Sequence, residues 1–307
     1  MIENIFYKRS FLSVDDFSRK EVELIYQIAK KMPGKDPMHP QTDFLKGKVV
    51  SLAFFEPSTR TRMSFEIAQK YLGGGVVNVG DLNSTSIKKG ESLDDTLRIM
   101  GGYTNSIIIR TTDENLCYNA RELLPDIPII NAGNGSDEHP TQALLDLWTI
   151  KNKVGSLDNL TVGIIGDLKY GRTTHSLAKM LNKFENNTIY LFSPKGLEMP
   201  EKYKSSNCIV KRLSDLSEVV SELDVLYATR IQKERISNGE DYSYRIDKEM
   251  MNLAKEDMIL MHPLPRIDEI PISIDLDKRA AYFEQARGGL VIRQALLYSL
   301  LRKRIIL

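Results

Sequence analysis

Short apolar runs rich in β-branched residues alternate with longer amphipathic stretches along nearly the whole chain. Such alternation builds parallel sheets with helical crossovers. In the first half the strand candidates are Val49–Phe55, Val76–Val79, Ser106–Ile109 and Ile127–Ile130. Between them the spacing predicts helices at Thr61–Leu72, Ser92–Met100 (Ser92 and Asp95 as a cap) and Asn115–Leu124. An earlier helix runs from Ser18 to Met32. Ser18 with Glu21 makes a capping box, Val22, Ile25, Ala29 and Met32 share a face, and Pro33-Gly34 ends it. A long helix follows from Pro140 to about Lys153, with proline at a first helical position.

The polar stretch Gly155–Asn159 reads as a junction, after which the pattern restarts. Strand Leu160–Ile165, helix Thr173–Phe184, and strands Ile189–Phe192, Val225–Tyr227 and Met258–Met261 follow. Pattern alone leaves open the destination of the last helix, Gly289 to about Leu301. The expected fold class is α/β: two open, largely parallel, doubly wound domains, each sheet with four to five strands. A length of 307 residues suits two domains of ~150 residues each.

Charge and cysteine content narrow the function classes. Lys and Arg number 42 against 41 Asp and Glu, so no bulk positive charge favours nucleic acid. Cys117 and Cys208 fit neither a disulfide framework nor a zinc spacing, and read as free thiols in a reducing compartment. No apolar run approaches the ~18 residues of a membrane span, and Met1-Ile2-Glu3-Asn4 lacks the basic start of a signal peptide. A cytoplasmic protein is expected.

The unusual residues fall just beyond the carboxyl ends of the expected strands. Glu56-Pro57-Ser58-Thr59-Arg60-Thr61-Arg62 follows the first, Arg110 the third, and Asn131 to Gln142 the fourth. In the second half the clusters are Asp167–Arg172, Thr229-Arg230-Ile231-Gln232 and His262-Pro263-Leu264-Pro265-Arg266. Open α/β sheets bind ligands at that edge, so the six clusters are expected to line one interdomain cleft. The first joins hydroxyls and guanidinium forks to a helix start, which suits phosphate. It is not a Walker loop, and the Gly163–Gly171 region has no Gly-x-Gly-x-x-Gly, so no nucleotide cofactor is indicated. Taken alone, the same segment also reads as an arginine-capped surface helix. Arg110 alone reads as a solvated charge, and His139 alone as a structural histidine. No metal spacing surrounds His139, but beside a phosphate it could hydrogen-bond a polarised carbonyl. Arg172, Arg230 and Gln232 suit a ligand with carboxylates. The loop from Asn83 to Glu91 could carry a lysine to an anion, or be a plain surface loop. No Ser-His-Asp order or nucleophile elbow points to acyl-enzyme chemistry.

These segments resemble the aspartate/ornithine transcarbamoylase family over nearly the whole chain. The likeness rests on Phe54 to Glu66 with its Ser-Thr-Arg-Thr-Arg core, on Lys89-Gly90-Glu91, on His139-Pro140-Thr141-Gln142, on Arg230-Ile231-Gln232 and on His262 to Arg266. The ornithine-type Ser-Met-Gly loop is absent, and His-Pro-Leu-Pro stands where that type has His-Cys-Leu-Pro. Lys89 is the aspartate-type residue, and Arg172 and Arg230 fit a dicarboxylate better than an amine. The resemblance implies transfer of a carbamoyl group from carbamoyl phosphate to aspartate. Ser58, Thr59, Arg60 and Thr61 would hold the phosphate. Thr61, Arg110 and His139 would contact the carbonyl oxygen, and Gln142 and the backbone of Leu264 and Pro265 the carbamoyl amide. Lys89, Arg172, Arg230 and Gln232 would hold aspartate. The catalytic set is Arg60, Thr61, Arg110 and His139, with no metal and no cofactor.

The resemblance further implies a homotrimer with shared sites, to which Ser86 (or Ser84 in the same loop) and Lys89 would cross from the neighbouring subunit. It also implies a possible separate regulatory chain carrying zinc. The division expected is 1–150 for carbamoyl phosphate, 151–288 for aspartate, and 289–307 as a C-terminal helix returning to the first domain. The rival readings are an ornithine-type transcarbamoylase, a non-catalytic anion-binding homologue and a plain phosphate-binding module, the last of which leaves the second-half arginines unexplained.

Overall fold

The structure, a computed structural model, describes residues 2–33, 42–80, 90–232 and 243–306. The chain divides into two compact units, Met1–Thr141 with Gly288–Leu307, and Gln142–Arg287.

The first unit runs β1 (Ile2–Glu3), α1 (Arg19–Ala29), β2 (Val49–Phe54), α2 (Arg60–Tyr71), β3 (Gly75–Val79), α3 (Leu93–Tyr103), β4 (Ser106–Thr111), α4 (Leu116–Leu123) and β5 (Ile129–Asn134). Its sheet is parallel throughout, in the order β3-β2-β4-β5. The chain adds β3 on one side of β2, then returns to add β4 on the other. Strand order therefore reverses between β2 and β4, and the carboxyl ends flanking such a reversal are where open sheets bind ligands. Serine caps set two helix starts. The Ser18 hydroxyl accepts from the Glu21 N–H while Glu21 returns a bond to the Ser18 N–H, and Ser92 caps α3 through the Asp95 N–H. Ile107, Ile109 and Ile129 pack with Leu97, Leu116 and Ala120 into one buried core cluster of this unit.

α5 (Pro140–Val154) leads into the second unit: β6 (Thr161–Ile165), α6 (Arg172–Leu181), β7 (Thr188–Ser193), β8 (Cys208–Arg212), α7 (Leu216–Val219), β9 (Val225–Ala228), α8 (Lys248–Leu253) and β10 (Ile259–Met261). The parallel order β10-β9-β6-β7-β8 reverses between β6 and β9. α9 (Tyr282–Leu301) returns the chain to the first unit, and β11 (Arg304–Ile305) pairs antiparallel with β1.

Both sheets thus have the expected parallel form, with four and five strands. β8 is absent from the sequence-based set because it is a short edge strand, with Ile209 and Val210 exposed and Lys211 and Arg212 beside them. Its apolar run is confined to Cys208-Ile209-Val210 and leads straight into two basic residues, as edge strands often do. α9 begins at Tyr282 rather than Gly289, since Gly288-Gly289 lies inside the helix instead of opening it. The continuous stretch of the first unit closes at Thr141, near the start of α5. Asp146 of that helix is already bonded to Tyr227 and Gln285 of the second unit.

Buried Asn187 joins the entry of β6 to the end of α6. Its carbonyl accepts from the Leu160 N–H at 2.9 Å, and its amide donates to the Leu157 and Leu181 carbonyls at 2.9 and 3.1 Å. Each buried group left unpaired costs about 1–3 kcal/mol. Asn187→Ala should lower the thermal midpoint by several degrees. An unchanged melt would remove Asn187 from this role.

Candidate active site

In the first unit the turn after β2 runs directly into α2. Thr59 precedes that helix and makes no side-chain cap bond, unlike Ser18 and Ser92 at α1 and α3. The first-turn N–H groups of α2 thus carry no side-chain oxygen from the capping residue, a polarity that favours an anion. Ser58 is half-buried, while Thr59 and Arg60 are exposed. Desolvation lowers the Arg60 guanidinium's pKa even though much of the residue reaches solvent, and arginine's ordinary value leaves it charged regardless.

Thr61 and His139 are both buried, with the Thr61 hydroxyl 3.4 Å from His139 Nε2. The Thr141 hydroxyl stands 3.4 Å from Nδ1. A hydroxyl donates or accepts as required, so this ring can present a proton from either nitrogen. Glu138 fixes the backbone beside it, accepting from the Ser13 hydroxyl at 2.9 Å and the Val14 N–H at 2.7 Å. The loop is tied down further by Asn131, which donates to the Leu12 carbonyl at 2.8 Å and accepts from the Gly133 N–H at 2.7 Å.

Arg110 lies near the end of β4, in register with Phe54 on β2. It donates to Glu56 at 3.2 Å and to the Ala132 carbonyl at 3.4 Å. The turn after β2, the end of β4 and the loop after β5 therefore meet at the carboxyl edge of three adjacent strands.

The second unit repeats this arrangement. Gly166 follows β6 with φ of 129°, and a Cβ there would lie 2.2 Å from the Thr229 carbonyl oxygen. Only glycine fits that conformation and that approach. Buried Asp167 comes next. One carboxylate oxygen accepts from the Lys169 and Tyr170 N–H groups at 3.2 and 3.0 Å, and the other accepts from the Gln232 amide at 3.2 Å. Arg172 opens α6, and Arg230, half-buried, follows β9. Both sides of the β6–β9 reversal thus carry candidate residues.

His262 follows β10. Its Nδ1 accepts the Leu264 N–H at 2.8 Å, so Nε2 carries the proton donated to Glu269 at 2.8 Å. Leu264 is held at φ of 57°, a left-handed conformation that non-glycine residues adopt at a cost, and the following bond to Pro265 is cis. Burial opposes ionisation of Glu269, but the hydrogen bond from His262 and nearby backbone N–H groups together hold its carboxyl below the usual value. Gln142 lies in the first turn of α5, its amide donating to Asp146 at 2.8 Å.

Ser86 and Lys89 lie outside the described residues. The sequence names arginines, hydroxyls, amides and His139 as candidates and does not single out the carboxylates that partner or neighbour them: Glu56, Glu138, Asp146, Asp167 and Glu269. Three of these stand inside the clusters themselves, and Asp146 follows Gln142 at helical i, i+4 spacing. Among the described residues no group of three or more His, Cys, Asp or Glu side chains is gathered to hold a metal. Burial first, then the Asp113 charge, pushes the Cys117 thiol up to about 12, far from a nucleophile's range.

Comparison with known proteins matches both units. The model of the aspartate/ornithine carbamoyltransferase carbamoyl-P binding domain matches residues 9–152, and that of the Asp/Orn binding domain matches residues 158–300. The aspartate carbamoyltransferase catalytic subunit of Clostridium novyi is 45% identical over 302 residues, 95% of this chain and 98% of its own. That of Archaeoglobus fulgidus is 46% identical over 294 residues, 94% and 98% of the two chains. The solved structure of Trypanosoma cruzi aspartate transcarbamoylase with aspartate and phosphate superposes with a TM-score of 0.89 at 40% identity, covering 97% of this chain and 96% of that one. Its complex with carbamoyl phosphate gives a TM-score of 0.90 at 39% identity, covering 97% and 98%.

Glu269 gives the carboxyl edge of the second unit an acid limit. A carboxyl lowered on folding adds stability above its unfolded value, and that stability is lost as pH falls through the folded value. In Glu269→Gln the loss of stability on acidification below about pH 5 should be shallower than in the wild type. Thermal melts across that range measure it, and parallel slopes would contradict the assignment.

Proposed function

The chain belongs to the aspartate/ornithine carbamoyltransferase family, and we infer that it transfers the carbamoyl group of carbamoyl phosphate to the amino group of L-aspartate. The products are N-carbamoyl-L-aspartate and phosphate, a step of pyrimidine biosynthesis. The observation that carries this reading is the buried Thr61–His139 pair at the start of α2, on the sheet edge where Arg110 lies near the end of β4. A phosphate on the α2 turn, held by Ser58, Thr59, Arg60 and Thr61, sets its carbonyl among hydroxyl, imidazole and guanidinium donors.

The aspartate amine attacks the carbonyl carbon, and the carbonyl π pair moves onto oxygen. Thr61, Arg110 and His139 stabilise that oxyanion, which then collapses and expels phosphate. The departing phosphate takes the amine proton, so the reaction needs neither a protein base nor a covalent enzyme intermediate. Donors aimed at developing charge lower the barrier most where water is scarce. Gln142 and the backbone of Leu264 and Pro265 read the carbamoyl amide. Arg172 and Arg230 bind the aspartate carboxylates, with Gln232, held by Asp167, and Lys89 completing the pocket. Two guanidinium groups favour this dicarboxylate over ornithine.

The family resemblance supports a cytoplasmic homotrimer in which Ser86 and Lys89 reach the neighbouring subunit's site, and a separate zinc-bearing regulatory chain as partner. Among the described residues no helix is long and apolar enough to cross a membrane.

Phosphate release from carbamoyl phosphate should require aspartate and not respond to ornithine. Release with ornithine alone would overturn the assignment of Arg172 and Arg230. Arg110→Ala should lower turnover ~10²–10³-fold in a folded protein, whereas near-wild-type turnover would remove Arg110 from the reaction. Mixing Lys89→Ala with Arg60→Ala protein should restore activity after subunit exchange, and no recovery with exchange verified would refute shared sites.

A further inference from the structure

Asp146 is 0% exposed, one turn into α5 beyond Gln142. A buried carboxylate needs donors around it. The Gln142 amide donates to Oδ1 at 2.8 Å, the Gln285 amide to the same oxygen at 2.7 Å, and the Tyr227 hydroxyl to Oδ2 at 2.9 Å. These residues lie on α5, on α9 and on β9, all within the second unit. Burial, followed by the Asp146 charge, holds the Tyr227 hydroxyl well above the ordinary tyrosine pKa, so it remains a donor.

A carboxylate only accepts. It therefore dictates which end of each neighbouring amide faces it. Gln142 must turn its NH2 group inward, which sends Oε1 to the other branch of the amide. Gln285 must do the same, and its Oε1 accepts the His262 N–H at 2.9 Å. His262 in turn holds the Leu264 N–H through Nδ1 at 2.8 Å. One buried charge thus sets the polarity of Gln142 and anchors the backbone from His262 to Pro265.

We propose that Asp146 is the positioning residue for carbamoyl specificity: it keeps Gln142 and the His262–Pro265 backbone presenting acceptors to the carbamoyl NH2 group. The inference rests on the proposed function and adds the group that enforces it. With a neutral amide at 146, Gln142 can flip and present NH2 to NH2, donor against donor. Acetyl phosphate carries a methyl where carbamoyl phosphate carries that amino group, so it reports the same pocket without the hydrogen bonds.

The test is the ratio of the inhibition constant of acetyl phosphate to the KM of carbamoyl phosphate, in wild type and in Asp146→Asn, with inorganic phosphate as a control competitor. The ratio should fall about tenfold or more, because losing well-made polar contacts erodes discrimination by at least that much, while phosphate inhibition stays unchanged. General loosening of the site would weaken all three ligands alike and leave the ratio constant, which overturns the proposal. If Asp146→Asn does not fold, Gln285→Met removes one donor to the carboxylate and the acceptor of the His262 N–H, and keeps the Asp146 and Tyr227 partners of Gln142. A smaller fall in the same ratio supports the proposal, and an unchanged ratio overturns it. A wild type that releases no phosphate with aspartate overturns the proposed function and this inference with it. An active wild type whose folded variants keep the ratio overturns the inference alone.

Discussion

The reversal of strand order within each parallel sheet is the constraint on which the candidate site depends. Between β2 and β4, and again between β6 and β9, the chain leaves in opposite directions from adjacent strands. Crossover helices then pack on opposite faces, and the carboxyl edge between the two strands stays open to ligand. In the first unit that edge carries the turn into α2, together with Arg110. In the second it carries Asp167, Arg172, Arg230 and Gln232. The chemistry differs because the turn residues differ. One edge offers hydroxyls and a helix start, and the other offers guanidinium groups.

A second regularity is the carboxylate behind the functional group. Glu138 fixes the backbone beside His139, Asp146 orients Gln142, Asp167 orients Gln232, and Glu269 fixes the tautomer of His262. Glu138, Asp146, Asp167 and Glu269 are all buried. In a low-dielectric setting, acceptor-only groups of this kind define hydrogen-bond polarity without ambiguity. Neutral amides in their place would leave several alternative networks of similar energy.

Much of this was legible in the sequence. The Val49–Phe54 strand has a continuous apolar run, and Ser18 and Ser92 announce helix starts by their own capping chemistry. The clusters after strands declare themselves because polar, arginine-rich turns interrupt apolar runs at regular places. What escaped was carried by contacts distant in sequence. β1 and β11 are two-residue strands at opposite ends of the chain, too short for any periodicity. β8 is an edge strand with little to bury. The role of Asp146 depends on Tyr227 and Gln285, 81 and 139 residues away, and no local pattern encodes those pairings.

The division of the chain also fixes an order of assembly. The second unit is continuous, from Gln142 to Arg287, whereas the first needs Gly288–Leu307 as well. Those last residues carry buried Ile292, Leu296 and Leu300, place Arg293 over the Phe65 ring at 5.0 Å and give Asn4 its Ser299 partner. During synthesis, which releases the amino end first, the second unit has its full sequence before the first does. The first unit thus joins the earliest-made and the last-made residues of the chain, and its full complement is present only when synthesis ends.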